Sequence, residues 1–339
     1  MWYNLSMKKI LMIATGGTIA SRLGDNGLSP QMSGEEMLTF VPQIKDLCEV
    51  DSLQLMNIDS TNVSPKEWQL LAKTLREKYF DYDGFVICHG TDTMAYTAAV
   101  LSYLVPKSPK PIVITGSQKP IDLVITDAKT NLYDSFLYCV SKKACGVNIV
   151  FNGKVISGAR AKKMYSKNYN AFSSINYPLV ATIQDGKVLN YRQKKYSGKP
   201  TFYDQLNSSV GVFKLIPGTD SKILDQYFSY YDAVVVESFG TGGIPDGENR
   251  GFYPVIEKWR KKGKILVMCT QVVNDGSDMS VYKVGKRLKD KYGFLESYDM
   301  TLEAVVAKLM WILAITKTPS KVKKLFYRNV ADDILYVEG

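Results

Sequence analysis

The chain has 339 residues, which suggests about two domains at roughly 150 residues each. Hydrophobic residues make up 45% and charged residues 22%, which is typical of globular proteins and excludes a disordered, fibrous or disulfide-scaffold chain. No apolar run approaches the roughly 20 residues that span a membrane, so we expect a soluble protein with no membrane partner.

The charge and the thiols narrow the function classes further. The net charge is +10, but the basic residues are scattered in short pairs such as Lys194-Lys195 and Lys261-Lys262, so we expect no nucleic-acid partner. The five cysteines contain no CxxC pair, which is typical of free thiols in a reducing compartment. His89 is the only histidine, so a His-based metal cluster is excluded and no metal site is expected.

Short apolar runs alternate with small polar loops and helical segments along the chain. The runs are rich in Val and Ile and lack clean alternation with polar residues, as expected for strands buried on both faces. They are Ile10–Ala14, Phe85–Cys88, Ile112–Ile114, Val147–Phe151, Ala233–Val236 and Ile265–Cys269. Because strands alternate with helices, we predict an α/β fold with parallel sheets covered on both faces.

Helix start signals lie between these runs. Ser64-Pro65-Lys66-Glu67 is a capping box with Pro at the first helical position, and Ser33 to Glu36 is a second candidate box. Further helices are predicted over Asp92–Leu104 and Asp127–Val140, and one amphipathic helix is predicted near the C-terminus. The apolar positions of that last helix are Leu302, Val305, Val306, Leu309, Met310 and Leu313.

The domain prediction rests on a change in composition. Around Gly186 to Ser209 the pattern dissolves into a polar, basic stretch. We therefore expect an N-terminal domain over residues 1–190, a linker over 191–209 and a C-terminal domain over 210–339.

In parallel sheets, ligands bind beyond the carboxyl ends of the strands, so the small polar loops are where function is expected. The first strand ends in Thr15-Gly16-Gly17-Thr18-Ile19-Ala20, where two glycines let the backbone turn tightly and approach a ligand. This pattern matches neither a dinucleotide fingerprint nor a P-loop. A tight turn with a threonine cap is the alternative interpretation.

Other loops offer hydroxyl, acidic and basic groups. In His89-Gly90-Thr91-Asp92, His89 is either a catalytic base or a structural residue, and Thr91 beside Asp92 could be only a helix start. The turn at Asp59 to Asn62 and the basic loop from Gly158 to Lys163 have structural interpretations as well. With one histidine, acyl transfer would need another base, and lysine with threonine can fill these roles. Thr18, Thr91, Asp92 and Lys163 supply that set, but the sequence does not show that they meet.

The combination of three motifs is more specific. TGGTIAS near the N-terminus, HGTDTMAYTA some seventy residues later and TGSQKP after the next strand together resemble the L-asparaginase family, and most closely the cytoplasmic bacterial type I enzymes. The resemblance covers essentially the whole chain. It implies a larger N-terminal parallel-sheet domain of flavodoxin-like character and a smaller C-terminal α/β domain. It also implies a cytoplasmic homodimer or dimer of dimers, with each site at a subunit contact.

The resemblance also implies an activity and a set of site residues. The expected reaction hydrolyses L-asparagine to L-aspartate and ammonia through a β-aspartyl ester, without a metal or cofactor. Thr18 corresponds to the family nucleophile, and Thr91, Asp92 and a lysine act with it. That lysine lies nine residues before a Phe, so Phe172 selects Lys163 over Lys162. The residues expected to bind the substrate are Asp59, Ser60, Thr61, Thr91, Asp92 and Ser117.

The sequence departs from the family pattern at several places. Leu28 stands where many relatives carry a tyrosine that orients the nucleophile, so Thr18 is expected to be activated from elsewhere. Tyr282 could reach the site of a partner subunit or could be a core tyrosine. Some type I enzymes bind asparagine at an allosteric site through an arginine, but Glu237 stands at that position and Lys162 stands at a threonine position. We therefore expect weak or absent activation by asparagine, because an acidic group repels the effector carboxylate.

Two alternatives to this function remain. One is the amidase subunit of a tRNA-dependent amidotransferase, which carries an extra N-terminal domain for which the 14 residues ahead of TGGT leave no room. The other is a non-catalytic amino-acid sensor built on the same fold. The presence of all four expected catalytic side chains disfavours the sensor, and ammonia release from asparagine separates it from the enzyme.

Overall fold

A computed structural model describes residues 7–24, 27–192, 195–245, 251–281, 286, 289 and 291–336. The chain divides into two compact units, Met1–Asp204 and Gln205–Gly339. Each unit contains its own parallel strands and its own buried apolar cluster. Among the described residues, no helix has both the length and the apolar character required to span a bilayer.

The first unit contains an eight-stranded sheet with two short antiparallel pairs beside it. The sheet order is β12-β11-β8-β7-β6-β5-β1-β4. The strands of the unit are β1 (Lys9–Gly16), β2 (Ser21–Gly24), β3 (Gly27–Pro30), β4 (Glu49–Ile58), β5 (Gly84–Cys88), β6 (Pro111–Thr115), β7 (Gly146–Phe151), β8 (Lys154–Ser157), β9 (Ala161–Lys163), β10 (Phe172–Ser174), β11 (Ala181–Gln184) and β12 (Lys187–Asn190).

Five neighbouring strands of this sheet, from β4 to β7, run parallel, whereas β8, β11 and β12 are antiparallel additions at one edge. Strands β5, β6 and β7 are buried along their whole length, as their continuous apolar sequences predict. The sheet is therefore mixed and dominated by parallel strands, and the predicted α/β class is confirmed.

Four α-helices lie in the described part of the first unit: α1 (Gly34–Thr39), α2 (Pro65–Lys78), α3 (Met94–Leu104) and α4 (Ala128–Val140). The predicted capping box at α2 is confirmed, because the Ser64 hydroxyl accepts from the Lys66 amide while the Glu67 carboxylate accepts from the Ser64 amide at 2.8 Å. Ser33 caps α1 by accepting from the Glu36 amide. These caps fix where each helix leaves the loop that precedes it.

The second unit has a four-stranded parallel sheet in the order β13-β14-β15-β16. Its strands are β13 (Val210–Lys214), β14 (Ala233–Ser238), β15 (Ile265–Thr270) and β16 (Leu295–Glu296). Its α-helices include α5 (Ser221–Tyr230), α6 (Phe252–Lys261), α7 (Leu302–Ile315) and α8 (Pro319–Phe326). Between β12 and β13, the described residues form no helix or strand.

Helix α7 occupies the predicted position, but the prediction that it is amphipathic is wrong. Its buried residues include Glu303 and Lys308, and Lys308 is fully enclosed with Asp333 at 2.6 Å. The Lys308 ammonium also donates to the carbonyl of Arg328 at 2.8 Å. A buried charge needs such partners, so the C-terminal segment covers the face that the sequence pattern assigns to water.

Candidate active site

Three loops at the carboxyl ends of β1, β4 and β5 meet backbone to backbone. Gly17 has φ of 78°, and a Cβ atom built there would lie 2.3 Å from the Cα atom of Gly90. The Gly17 amide also donates to the carbonyl of Ile58 at 3.0 Å. Only glycine allows this approach, so the TGGT turn is fixed against the HGTD loop. Thr18 follows directly as the first, half-buried residue of a 3₁₀ turn.

Lys163 joins the HGTD loop from a distant part of the chain. Its ammonium donates to Thr91 Oγ1 at 2.8 Å and to Asp92 Oδ1 at 2.6 Å. Thr91 is buried, the Lys163 side chain is 17% exposed, and the Asp92 side chain is 59% exposed. The lysine thus approaches from inside the protein while the carboxylate opens to solvent. Lys163 is placed by β9, where it pairs in register with Phe172 on β10.

The turn after β4 contributes a further hydroxyl and a carboxylate. Ser60 is buried against Gly90, where a Cβ atom would lie 2.6 Å from the serine oxygen, and the Ser60 carbonyl accepts from the Thr93 hydroxyl at 2.8 Å. Asp59 is exposed and accepts from both the amide and the hydroxyl of Thr61, each at 2.9 Å. The turn therefore lies beside the HGTD loop, with the Asp59 carboxylate open to solvent.

The loop after β6 adds a residue that the sequence analysis did not select. Gln118 Oε1 accepts from the Thr91 hydroxyl at 3.4 Å, and its amide nitrogen donates to the carbonyl of Asn168 at 3.0 Å. Gln118 directly follows Ser117 in the TGSQ motif, and this position is the sequence feature that could have identified it as a site residue. Ser117 is fully buried, and its hydroxyl donates to the carbonyl of Lys119.

Asp127 and Asn131 hold this loop in place. The Asp127 carboxylate accepts from the amides of Gln118 at 2.9 Å and Lys119 at 3.1 Å. Asn131 donates to the carbonyl of Gly116 at 3.0 Å and accepts from the Asn152 amide at 2.8 Å. Burial raises the pKa of Asp127, and the hydrogen bonds from these amides oppose that change. The sequence predicts Asp127 only as a helix start, because the loop residues that it binds cannot be identified from a local sequence pattern.

The backbone amides of Thr91 and Ser117 differ in their hydrogen bonding from the amides of Gln118 and Lys119. Neither amide donates to any residue in the described ranges, whereas the amides of Gln118 and Lys119 are occupied by Asp127. Two unoccupied amides at adjacent strand ends can donate to an anionic oxygen of a ligand.

His89 has a structural role, in agreement with one of its two predicted interpretations. The ring is 1% exposed, with Nδ1 2.7 Å from the Gly90 carbonyl and Nε2 3.0 Å from the Thr97 hydroxyl. Because a carbonyl only accepts, Nδ1 carries the proton in the neutral ring, and Nε2 accepts from Thr97. The Trp68 indole donates to the same hydroxyl at 2.9 Å. Burial lowers the pKa of His89, so the imidazole stays neutral beneath the loop.

Thr18, Leu28 and Tyr282 are the other residues that the sequence singles out. The Thr18 hydroxyl makes no hydrogen bond with any residue that the structure describes. Leu28 lies on the β2–β3 hairpin opposite Leu23 and is 53% exposed. Tyr282 lies outside the described residues. Within the described ranges there is no group of three His, Cys, Asp or Glu side chains that could hold a metal ion.

Comparisons with known proteins cover both units. Residues 9–196 match the family model "Asparaginase, N-terminal", and residues 209–326 match "Glutaminase/Asparaginase C-terminal domain". An L-asparaginase of Thermococcus kodakarensis is 34% identical over 96% of this chain and 99% of its own length. One component of the glutamyl-tRNA(Gln) amidotransferase of Aeropyrum pernix is 32% identical over 96% of this chain and 79% of its own length.

Solved structures agree with these matches. The thermostable L-asparaginase from Thermococcus kodakarensis superposes with a TM-score of 0.91 over 97% of this chain and 100% of that chain, at 34% identity. L-asparaginase I from Vibrio cholerae gives 0.86 at 27% identity, over 98% of this chain and 100% of that chain. A probable cytoplasmic L-asparaginase from Campylobacter jejuni gives 0.81 at 29% identity, over 95% and 100%.

Proposed function

We propose that this chain, which belongs to the asparaginase family, hydrolyses L-asparagine to L-aspartate and ammonia through a covalent threonine ester. The resemblance of the three sequence motifs to the type I enzymes is confirmed by the family-model matches and by structural neighbours at 27–34% identity. Membership of the family makes it an asparaginase-family hydrolase. The substrate, the nucleophile and the residue roles are our proposals.

In the first step, the Thr18 hydroxyl attacks the side-chain amide carbon of asparagine. The threonine oxygen forms a bond to carbon, the carbon–nitrogen bond breaks, and the threonine proton leaves with ammonia. This exchange splits one difficult displacement into two easier steps. Thr18 is suited to the role because it follows Gly17, whose backbone abuts that of Gly90, the residue before Thr91.

The tetrahedral oxygen that forms during attack needs hydrogen-bond donors. The unoccupied amides of Thr91 and Ser117 are the candidates in the described part of the chain. A preorganised donor of this kind contributes about 3–4 kcal/mol to the transition state in enzymes where one was removed. Asp127 supports the arrangement by fixing the loop that follows Ser117.

The second step reverses the first with water in place of ammonia. Water attacks the ester carbon, the bond to the threonine oxygen breaks, and the proton returns to Thr18. Lys163, Thr91 and Asp92 form the hydrogen-bonded path along which protons can move to the departing ammonia and from water. The second carboxylate oxygen of Asp92 makes no hydrogen bond with a described residue, so it is available to the substrate ammonium. Asp59 offers a second carboxylate for that ammonium.

The observation that carries the proposal is the contact of Lys163 with both Thr91 and Asp92. Lys163 is separated from these two residues by 72 and 71 positions along the chain, and it still lies within hydrogen-bond distance of both. A structural interpretation of the HGTD loop as a helix start does not require a lysine there. Helix α3 begins two residues after Asp92, and no side chain caps it.

Ammonia and aspartate released from L-asparagine test the function. The wild-type chain is expected to release both in equal amounts, and Thr18→Ala is expected to lose at least roughly 10⁴-fold in kcat while remaining folded. Thr15→Ala is the matched control, because the Thr15 hydroxyl is buried and donates to the carbonyl of Cys88 at 2.8 Å. Absence of turnover in the wild-type chain would refute the proposed asparaginase activity, and activity in Thr18→Ala would refute Thr18 as the nucleophile.

The same assay separates the alternative functions. A sensor would bind asparagine without releasing ammonia. An amidotransferase component, like the Aeropyrum relative, would release ammonia in a manner that responds to a partner protein and tRNA. We propose that the chain acts alone, in the cytoplasm, as a homodimer or a dimer of dimers, and light scattering in solution should give a mass of two or four chains.

A further inference from the structure

A cavity of about 330 Å³ lies in the second unit, at the amino end of β15. It is therefore at the edge of that sheet opposite the carboxyl ends of the strands, and all of its lining residues belong to the second unit. Its walls include Phe228, Ile256, Leu266 and Phe294, which are 1–7% exposed. The volume falls within the range of small-molecule sites.

The walls favour a flat ligand. The rings of Tyr292 and Phe294 both line the cavity, with their centroids 5.7 Å apart and their planes inclined by 11°. Phe228, on the same cavity, is stacked on Trp259 from α6 at 6.1 Å with an inclination of 23°. Aromatic walls of fixed orientation accept another planar ring by offset stacking or edge contact.

The rim is basic. Arg260, Lys264 and Lys323 line the cavity, and none of its lining residues is acidic. Lys264 is already paired with Asp232 at 3.0 Å. The side chains of Arg260 and Lys323 make no hydrogen bond or ion pair with any residue that the structure describes. Glu257, one turn before Arg260 on α6, is bound instead to Lys261 at 3.0 Å.

The start of α8 adds a second, independent positive feature at the same rim. Pro319 and Ser320 line the cavity, Pro319 has no amide hydrogen, and Thr318 makes no side-chain cap. The amides of Ser320 and Lys321 donate to no residue in the described ranges. Unsatisfied amides at a helix start attract anions.

We propose that this cavity binds a small aromatic carboxylate, with the ring between the apolar walls and the carboxylate held by Arg260 and Lys323 at the start of α8. Arginine suits the head group because its planar fork matches a carboxylate. An uncharged aromatic compound would leave the two unpaired cations without a partner. None of the residues that line this cavity is among the proposed catalytic residues, so its test does not depend on the proposed function.

Calorimetric titration with 2-naphthoate tests the site, with the neutral 2-naphthamide as the matched ligand. The full chain is expected to bind 2-naphthoate at one site and to bind 2-naphthamide at least about tenfold more weakly, since a charged hydrogen bond is lost. The double variant Arg260→Gln/Lys323→Gln should weaken 2-naphthoate binding by at least about tenfold. Both side chains are exposed, so the fold should be retained.

The control variant is Lys262→Gln/Lys324→Gln. It removes the same charge from the end of α6 and from α8, at exposed positions that do not line the cavity, and it leaves the Glu257–Lys261 ion pair in place. It should bind 2-naphthoate as the wild type does. Three results would overturn the proposal: no 2-naphthoate binding to the wild type, equal weakening in the two double variants, or equal affinity for the acid and the amide.

Discussion

Lys163 illustrates how one side chain can join two parts of a site. Its ammonium contacts a buried hydroxyl on one side and a carboxylate open to solvent on the other. Because the Asp92 carboxylate is open to solvent, its ion pair with Lys163 contributes little to stability, with a typical value of about 0–1 kcal/mol. The pairing is therefore better explained by chemistry at Thr91 and Asp92 than by a contribution to the fold.

Replacing Lys163 with methionine tests this explanation. Lys163→Met keeps the aliphatic stem but removes the ammonium, so kcat for asparagine hydrolysis should fall by roughly 10²–10⁴-fold. The free energy of unfolding should change by no more than about 1 kcal/mol. Steady-state kinetics and urea unfolding measure the two quantities.

Lys162→Met is the control on the same strand. Side chains alternate between the two faces of a strand, so Lys162 points away from the direction of Lys163. Its kcat should remain close to that of the wild type. A comparable fall in kcat for both variants would contradict a specific role for Lys163.

At the residue scale, the sequence identified groups but not their contacts. Thr91, Asp92 and Lys163 were selected by motif and by the position of Phe172, and the register between Lys163 and Phe172 explains why that spacing is informative. Gln118 was missed because the hydrogen-bond partners of its side chain lie 27 to 50 residues away. Contacts of that range depend on the sheet order, which no local pattern encodes.

Among the elements, helix α4 has one acidic residue at its start and one inside it, and the two differ in their hydrogen bonding. Asp127 precedes the helix and receives backbone amides, whereas Asp134 lies within it, 7% exposed, and makes no hydrogen bond or ion pair with a described residue. Burial raises the pKa of Asp134 from 3.8 to about 6. The ionised form is therefore disfavoured in the folded chain.

This pKa predicts a stability that depends on pH. Above about pH 6 the folded chain bears the cost of a charged Asp134, and as the pH falls toward 4 the folded chain binds the proton first and that cost disappears. Asp134→Asn should raise the free energy of unfolding by about 1–3 kcal/mol near pH 8 and leave it unchanged near pH 4.

Denaturant unfolding at the two pH values measures the effect. Asp81→Asn serves as the control, since Asp81 is exposed, and its effect should stay within about 0.5 kcal/mol at both. If Asp134→Asn raises the free energy of unfolding equally at both pH values, burial of the charge is not the cause.

The elements themselves were predictable where burial was complete. The apolar runs predicted β1, β5, β6, β7, β14 and β15 to within about two residues at each end. The edge strand β4 and the antiparallel strands β8, β11 and β12 were not predicted. Most residues of β4 and β12 alternate between exposed and half-buried positions, and such strands lack a continuous apolar sequence.

For the whole molecule, the α/β class followed from the alternation of apolar runs with helical segments. The family followed from three motifs, each of which closes one of the neighbouring strands β1, β5 and β6. The enclosure of α7 did not follow, since the segment that covers Lys308 has no periodic pattern. The charge distribution leads to one further expectation about regulation, at Glu237, which is half-buried on β14.

An acidic residue at the position that the resemblance assigns to an effector-binding arginine predicts weak or absent activation by asparagine. The carboxylate of Glu237 would repel that of an effector, so velocity should rise hyperbolically with asparagine concentration, with a Hill coefficient near 1. Initial rates over a wide asparagine range measure the curve. A sigmoidal curve from a preparation of fixed oligomeric state would contradict this expectation.

The ester on Thr18 is the intermediate on which the proposed chemistry depends, and mass spectrometry can detect it directly. Acid quenching of the wild-type chain during turnover of L-asparagine should leave an added aspartyl group on the peptide that contains Thr18, and Thr18→Ala should carry none. An adduct on a peptide that lacks Thr18, or full turnover by Thr18→Ala, would contradict the account.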